Sequence, residues 1–109
     1  MTRADDLLVG LEHALGQIEQ ILSGGRDRYE ADALARLALQ KLWINVGNYA
    51  EQYRSCAGLP EGAEPWTELY VYRCVLAHAL PTELDEARVW HESIADVGRI
   101  CQAIDLEAP

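Results

Sequence analysis

The sequence has no run approaching the roughly 20 apolar residues that a membrane-spanning helix needs, although 50% of its 109 residues are hydrophobic. Its opening, MTRADDLLVGLEHALGQIEQ, is punctuated by acids and lacks the uninterrupted apolar stretch of a secretory signal. These two absences predict a cytoplasmic protein with no membrane association. Cysteine is sparse: Cys56, Cys74 and Cys101 are odd in number, far apart and outside any C-x-x-C or Cys/His pattern. Neither a disulfide framework nor a metal site is predicted from them, and they read as small apolar side chains. Positive charge is scarce as well. Nine Lys and Arg stand against eighteen Asp and Glu, a net charge of −9, which argues against non-specific coating of a phosphate backbone. A local basic site on an acidic molecule, or a basic partner, stays compatible with that balance. Sustained period-two alternation, low-complexity tracts and solenoid-type repeats are also missing.

What is present is helical periodicity with clear punctuation. Most of the Gly and Pro fall in SGGRD (23–27), CAGLPEGAEP (56–65) and LPTELD (80–85), which divide the chain into four segments of helix length. The first carries Leu8, Leu11, Leu15, Ile18 and Leu22 at 3-4-3-4 spacing, one stripe of a helix. The last repeats that spacing with Ala87, Trp90, Ile94, Val97, Cys101 and Ile104. The second, from about Asp27 to Cys56, has Leu34, Ala38, Leu42, Val46, Tyr49 and Tyr53 on one stripe and Leu39, Trp43 and Ala50 beside it. That face is wider than one neighbour covers, so part of it is expected to meet another subunit. The third opens on Pro65, suited to a first helical position, and ends before Pro81, which disfavours helical geometry at Leu80. Length allows one compact core and not two. The expectation is a single domain over 1–109, an all-α, antiparallel four-helix bundle that forms a homodimer.

Within the third segment, Trp66, Leu69, Arg73, Leu76 and Leu80 share the core-type spacing, so an arginine occupies a core-type position. It must reach the end of the bundle, pair with an acid or line a cleft. His78 lies five residues on, about 140° round the helix, with Tyr70, Cys74 and Ala77 in the sector between. One reading is structural: Arg73 forms a salt bridge and His78 caps the carbonyls ending its helix. The other is chemical. Histidine moves protons near neutral pH, and arginine grips a phosphodiester in a fork and stabilises the charge that grows on it. Partial unwinding before Pro81, or a second copy across a two-fold axis, would bring the two side chains together.

The R-x4-H pattern near the end of the third helix resembles the HEPN superfamily, in particular the HepT-like toxins. PWTELYVYRCVLAHAL is similar to the family's Pro-Trp opening and Arg-x4-His, and LDEARVWHESI to its entry into the last helix. DALARLALQKLWINVGNYAEQY resembles its long second helix with a Gly-Asn/Glu element, here Gly47 and Asn48, and the likeness runs over roughly residues 4 to 105. The resemblance implies a homodimeric, metal-independent and cofactor-independent endoribonuclease, paired in a toxin–antitoxin system with an MNT-type nucleotidyltransferase. By position it makes Arg73 and His78 the catalytic pair at the dimer interface, acting on RNA and leaving a 2′,3′-cyclic phosphate. The sector between them makes Tyr70 and Cys74 candidates for lining the site, with core the alternative for the aromatic Tyr70.

Two positions depart from the family pattern. Cys74 stands where a polar residue usually follows the arginine, and Leu80 stands where the family has a tyrosine that its partner enzyme modifies with AMP. Modification at that position is excluded by the leucine. Tyr70 and Tyr72 are then the nearest phenols, Tyr70 being the one in the Arg73-to-His78 sector. A catalytically weakened module that binds a nucleotidyltransferase, and a purely structural dimeric bundle, remain alternatives to the nuclease. His13 and His91 read as solvated, Trp43, Trp66 and Trp90 as core, and Glu83, Asp85 and Glu86 as the start of a helix.

Overall fold

The computed structural model describes residues 2–80 and 82–107. They form five helices and, among the described residues, no strand: α1 (Arg3–Ser23), α2 (Arg26–Ala31), α3 (Ala33–Cys56), α4 (Trp66–His78) and α5 (Glu86–Glu107). One buried hydrophobic cluster draws on all five. No described helix is long and apolar enough to cross a membrane.

The first helix starts where its chemistry predicts. Thr2 Oγ1 accepts the Asp5 amide and the Asp5 carboxylate accepts the Thr2 amide, each at 3.1 Å, so two orphan donors of the first turn are satisfied reciprocally. Leu8, Leu11, Leu15 and Ile18 are buried along the expected stripe, with Leu22 at its edge. Each such side chain taken fully from water stabilises the fold by about 1.5–3 kcal/mol.

The second segment is not one helix. Gly25, at φ +87°, turns the chain into the six-residue α2, and Asp32 then breaks it, with φ −117° and ψ 101°. The Asp32 carboxylate accepts the amides of Leu34 and Ala35 at 3.0 and 3.2 Å. An aspartate that satisfies two free N–H groups favours a helix start over passage through a helix interior, which gives five helices where four were expected. Tyr29 of α2 is buried, stacks obliquely near Trp90 and donates its hydroxyl to the Glu86 carbonyl at 3.0 Å, fixing α2 against the start of α5.

The break also resets the face that α3 buries. Its core residues are Leu39, Trp43, Val46, Ala50 and Tyr53, whereas Leu34 is 76% exposed, Ala38 is exposed and Leu42 is only partly covered. The stripe beginning at Leu34 therefore leaves the core over its first turns. In α5 the inward residues are Val89, Trp90, Ser93, Ile100 and Ile104, while Ala87 and Ile94 face out. Ser93 is inside because its hydroxyl accepts the Trp43 indole N–H at 2.7 Å and donates to the Val89 carbonyl at 2.7 Å. Reading apolar residues alone passes over it.

The remaining punctuation holds. The 56–65 loop separates α3 from α4, with Pro65 just before the first helical residue instead of inside the helix. Asp85 accepts the Arg88 amide at 3.1 Å and Glu86 opens α5. Trp43, Trp66 and Trp90 are core, and His13 and His91 are exposed. The cysteines are less buried than their composition suggests: Cys56 is exposed, and Cys74 and Cys101 are partly covered. Cys101 stays near the surface because its thiol lies 3.2 Å from a Glu19 carboxylate oxygen. Burial first, then that carboxylate, pushes the thiol up to about 11.

Candidate functional site

The site begins with a glycine. At Gly47, α3 passes so close to α4 that an added Cβ would sit 2.6 Å from the Leu69 carbonyl oxygen and would run into Arg73 Cβ. Only a residue without a side chain permits that approach. It places the next residue, Asn48, beside Arg73, whose Nε donates to Asn48 Oδ1 at 2.8 Å.

This contact settles how an arginine occupies a core-type position. Arg73 is partly buried and finds neither an acid nor the end of the bundle; its partner is a neutral amide. The terminal guanidinium nitrogens make no hydrogen bond or ion pair with a described residue. An amide orients the group without neutralising it, so the positive charge stays available to an anion that can take both terminal N–H groups. The salt-bridge reading of Arg73 is not realised.

His78 is the last residue of α4 and is exposed. Its side chain makes no hydrogen bond with a described residue, so it does not cap its helix. The Ala79 amide instead continues the helical pattern to the Val75 carbonyl at 3.0 Å. Because α4 is regular through His78, the unwinding that would swing the imidazole toward Arg73 does not occur. The two side chains remain about 140° apart on one helix. Within one protomer α4 presents them on different sectors.

Between and beyond them lies an unusual surface. Tyr70, Val71, Cys74, Val75, Ala77 and His78 lie on the outward side of α4, where Glu68, paired with Arg99 at 2.6 Å, is the one exposed acid. Val71 and Val75 are each 56% exposed, Tyr70 is 37% exposed, and Leu80 beyond the helix is 62% exposed. With Trp66, Leu69 and Leu76 buried on the opposite side, α4 is apolar nearly all round, the signature of a helix covered on more than one side. Tyr70 is the accessible phenol. The Tyr72 hydroxyl is buried, and its pKa is raised first by burial and then by the charge of Glu92.

Among the described residues no three His, Cys, Asp or Glu come together to hold a metal ion. A cleft of about 590 Å³ lies elsewhere, between α1, α2 and α3, and neither Arg73 nor His78 lines it. Asn48 is the site residue whose role was not legible in the sequence. Its only signal was the Gly47-Asn48 pair, and a glycine in the middle of a long helix points to a close approach without naming what approaches. Comparison of the chain with protein-family models, with curated proteins and with solved structures finds no match to any of the three.

Proposed function

We propose that this protein is a metal-independent endoribonuclease toxin of the HEPN/MNT type, working as a homodimer through the outward face of α4. The observation that carries the reading is Arg73 held at Nε by the amide of Asn48, with its charge unpaired, on a helix that ends in an exposed His78. Packing two α4 helices about a two-fold axis covers the exposed apolar side chains Val71 and Val75 and brings Arg73 of one protomer toward His78 of the other. In that cleft the guanidinium binds the scissile phosphate. The RNA 2′-hydroxyl attacks phosphorus as its proton leaves, the bond to the 5′-oxygen breaks, and a proton passes to that oxygen. The products are a 2′,3′-cyclic phosphate and a 5′-hydroxyl end, and His78 serves one of the two proton transfers.

A second reading, a HEPN module that binds a nucleotidyltransferase without cutting RNA, is favoured by Cys74 beside Arg73 and by Leu80. The leucine side chain, 62% exposed, offers no nucleophile for adenylylation. Under either reading, neutralisation by an MNT-type partner proceeds by covering the cleft or by transfer to the exposed Tyr70. The test is cleavage of a mixed RNA pool by purified wild type, Arg73→Ala and His78→Ala in EDTA, with product ends analysed. The nuclease reading expects cleavage by wild type, cyclic phosphate ends, and a loss of about 10²-fold or more in each variant. Cleavage by the variants at the wild-type rate removes both residues from the chemistry, and an inert, folded wild type selects the binding module.

A further inference from the structure

The cleft between α1, α2 and α3 gathers what the acidic molecule otherwise lacks. Its apolar lining comes from Ile21 of α1, Tyr29 of α2 and Ala38 and Leu42 of α3, Gln17 and Gln20 of α1 add neutral polar groups, and two cations, Arg28 and Lys41, complete it. Of the nine basic side chains, Arg3 and Arg73 bond to amides, and Arg26, Arg36, Arg54, Arg88 and Arg99 bond or pair with carboxylates. Arg28 and Lys41 are the two that make no hydrogen bond or ion pair with a described residue. Asp32, the acid on the cleft wall, has its carboxylate engaged in capping α3. Arg28 lies across Gly24 at the C-terminal end of α1, where the helix dipole favours a cation and holds it at the cleft.

The apolar surface does not stop at the cleft. Leu34, 76% exposed, falls between Lys41 and Ala38 on the α3 wheel, and Leu37, 59% exposed, lies just beyond Lys41. They continue the exposed apolar surface beside the groove along the first turns of α3. A groove between two helices, with lining residues at 3-4 spacing on both walls, accepts the apolar stripe of a third helix.

Charge decides whose helix that is. A two-fold axis passing close to Arg28 and Lys41 would bring four cations together across an apolar contact, which is unfavourable. On the outward face of α4 the one exposed acid, Glu68, is already neutralised by Arg99 of its own chain, so that surface suits self-association, whereas the unpaired cations of the groove suit a different molecule. We propose that the α1–α3 groove is a docking site for an acidic amphipathic helix of a partner protein, whose carboxylates pair with Arg28 and Lys41. The inference does not depend on the nuclease reading, since Arg73 and His78 are not part of the groove.

The test uses the isotope-labelled full chain and follows the amides of Ile21, Ala38 and Leu42 by NMR. Three probes are titrated in low salt: a peptide of about four helical turns with leucine at 3-4 spacing flanked by glutamate, the same peptide with lysine for glutamate, and dodecanoate. The proposal expects saturable shifts from the glutamate peptide, little from the lysine peptide, and an affinity about tenfold weaker or worse in an Arg28→Glu, Lys41→Glu double variant. Both replaced side chains are exposed and unpaired, so the variant should stay folded with a melting temperature lowered only by the loss of the Arg28 charge at the end of α1, and circular dichroism of the variant shows that the loss can be read as binding. Equal binding of the two peptides, an unaffected double variant, or no shift from the glutamate peptide overturns it. Shifts from dodecanoate alone identify a small-molecule pocket, and shifts that grow with protein concentration alone identify a second copy; either outcome also overturns it.

Discussion

Replacing Gly47 by alanine tests the close approach on which the Arg73 site depends. In an open helix interior the change stabilises, because alanine exceeds glycine in helix propensity by about 0.8–1 kcal/mol. Here the new methyl would lie 2.6 Å from the Leu69 carbonyl oxygen, a backbone atom that cannot rotate away, and 3.1 Å from Arg73 Cγ. α3 and α4 must then move apart. Overpacking of this kind costs about 1–3 kcal/mol, and separation of the helices also weakens the Arg73–Asn48 bond, a charge-assisted contact worth about 1.5–3 kcal/mol. The unfavourable contributions exceed the propensity gain, leaving a net destabilisation of roughly 1–4 kcal/mol. For a chain of this size the melting temperature should fall by about 4 °C or more per kcal/mol. The internal control is Gly98→Ala in α5, where a Cβ meets nothing within 4 Å and the melting temperature should rise. Thermal unfolding followed by circular dichroism at 222 nm compares the two. If Gly47→Ala is stabilised as much as Gly98→Ala, the helices do not touch there and the placement of Arg73 is wrong.

Other outcomes follow from the same contacts. Ser93→Ala leaves the buried Trp43 indole N–H without its acceptor and should cost about 1–3 kcal/mol in a urea melt, more than an exposed serine such as Ser55→Ala. Burial, then the charge of Glu86, pushes the Tyr29 phenol up to about 12 from 10.0. A pKa raised on folding contributes stability that is whole below the unfolded value and is lost as pH rises, so base titration should erode stability between pH 10.0 and about 12. Tyr29→Phe should shrink that slope, and an unchanged slope would assign it elsewhere. The Asp5 carboxyl is held below its usual value by the Thr2 amide and hydroxyl, so its share of stability is present above pH 3.8 and fades as pH falls further; Asp5→Asn should flatten the acid limb. Iodoacetamide at pH 8 should alkylate the exposed Cys56 well before Cys101, whose thiol is raised to about 11; comparable rates by mass spectrometry would contradict the Glu19 contact.

How much of this was legible in the sequence varies with what each residue depends on. The main stripe of α1 and its glycine stop were readable because both are local, while its Thr2–Asp5 cap, equally local, and the buried Leu7 and Ala14 beside the stripe were passed over. The three loops were readable for the same reason. The break at Asp32 had a local signal, an aspartate just before an apolar run, but the strong periodicity on both sides of it masked the cap. The inward faces of α3 and α5 were misjudged by about one residue's rotation. Hydrophobicity ranks Ile94 above Ser93, and only the approach of Trp43 makes the serine the better core residue. At the site, Arg73 and His78 stood out by type and spacing. The amide that orients Arg73 lies 25 residues away on another helix, and no pattern along one helix can announce it.

The Trp43–Ser93–Val89 chain of hydrogen bonds has a consequence for how narrowly the fold is defined. Leucine and isoleucine contacts are forgiving: two helices joined by them alone can slide by a turn and exchange one set of apolar neighbours for another at little cost. An indole N–H in a core has no such freedom, since sliding α5 by a turn would carry the Ser93 oxygen about 5.4 Å away and strand the donor among hydrocarbon. The serine therefore acts as a vernier mark between α3 and α5, admitting one axial setting and penalising its neighbours. Because α3 also carries Gly47 and Asn48, that single setting fixes the height of α5 against the helix from which Arg73 is oriented.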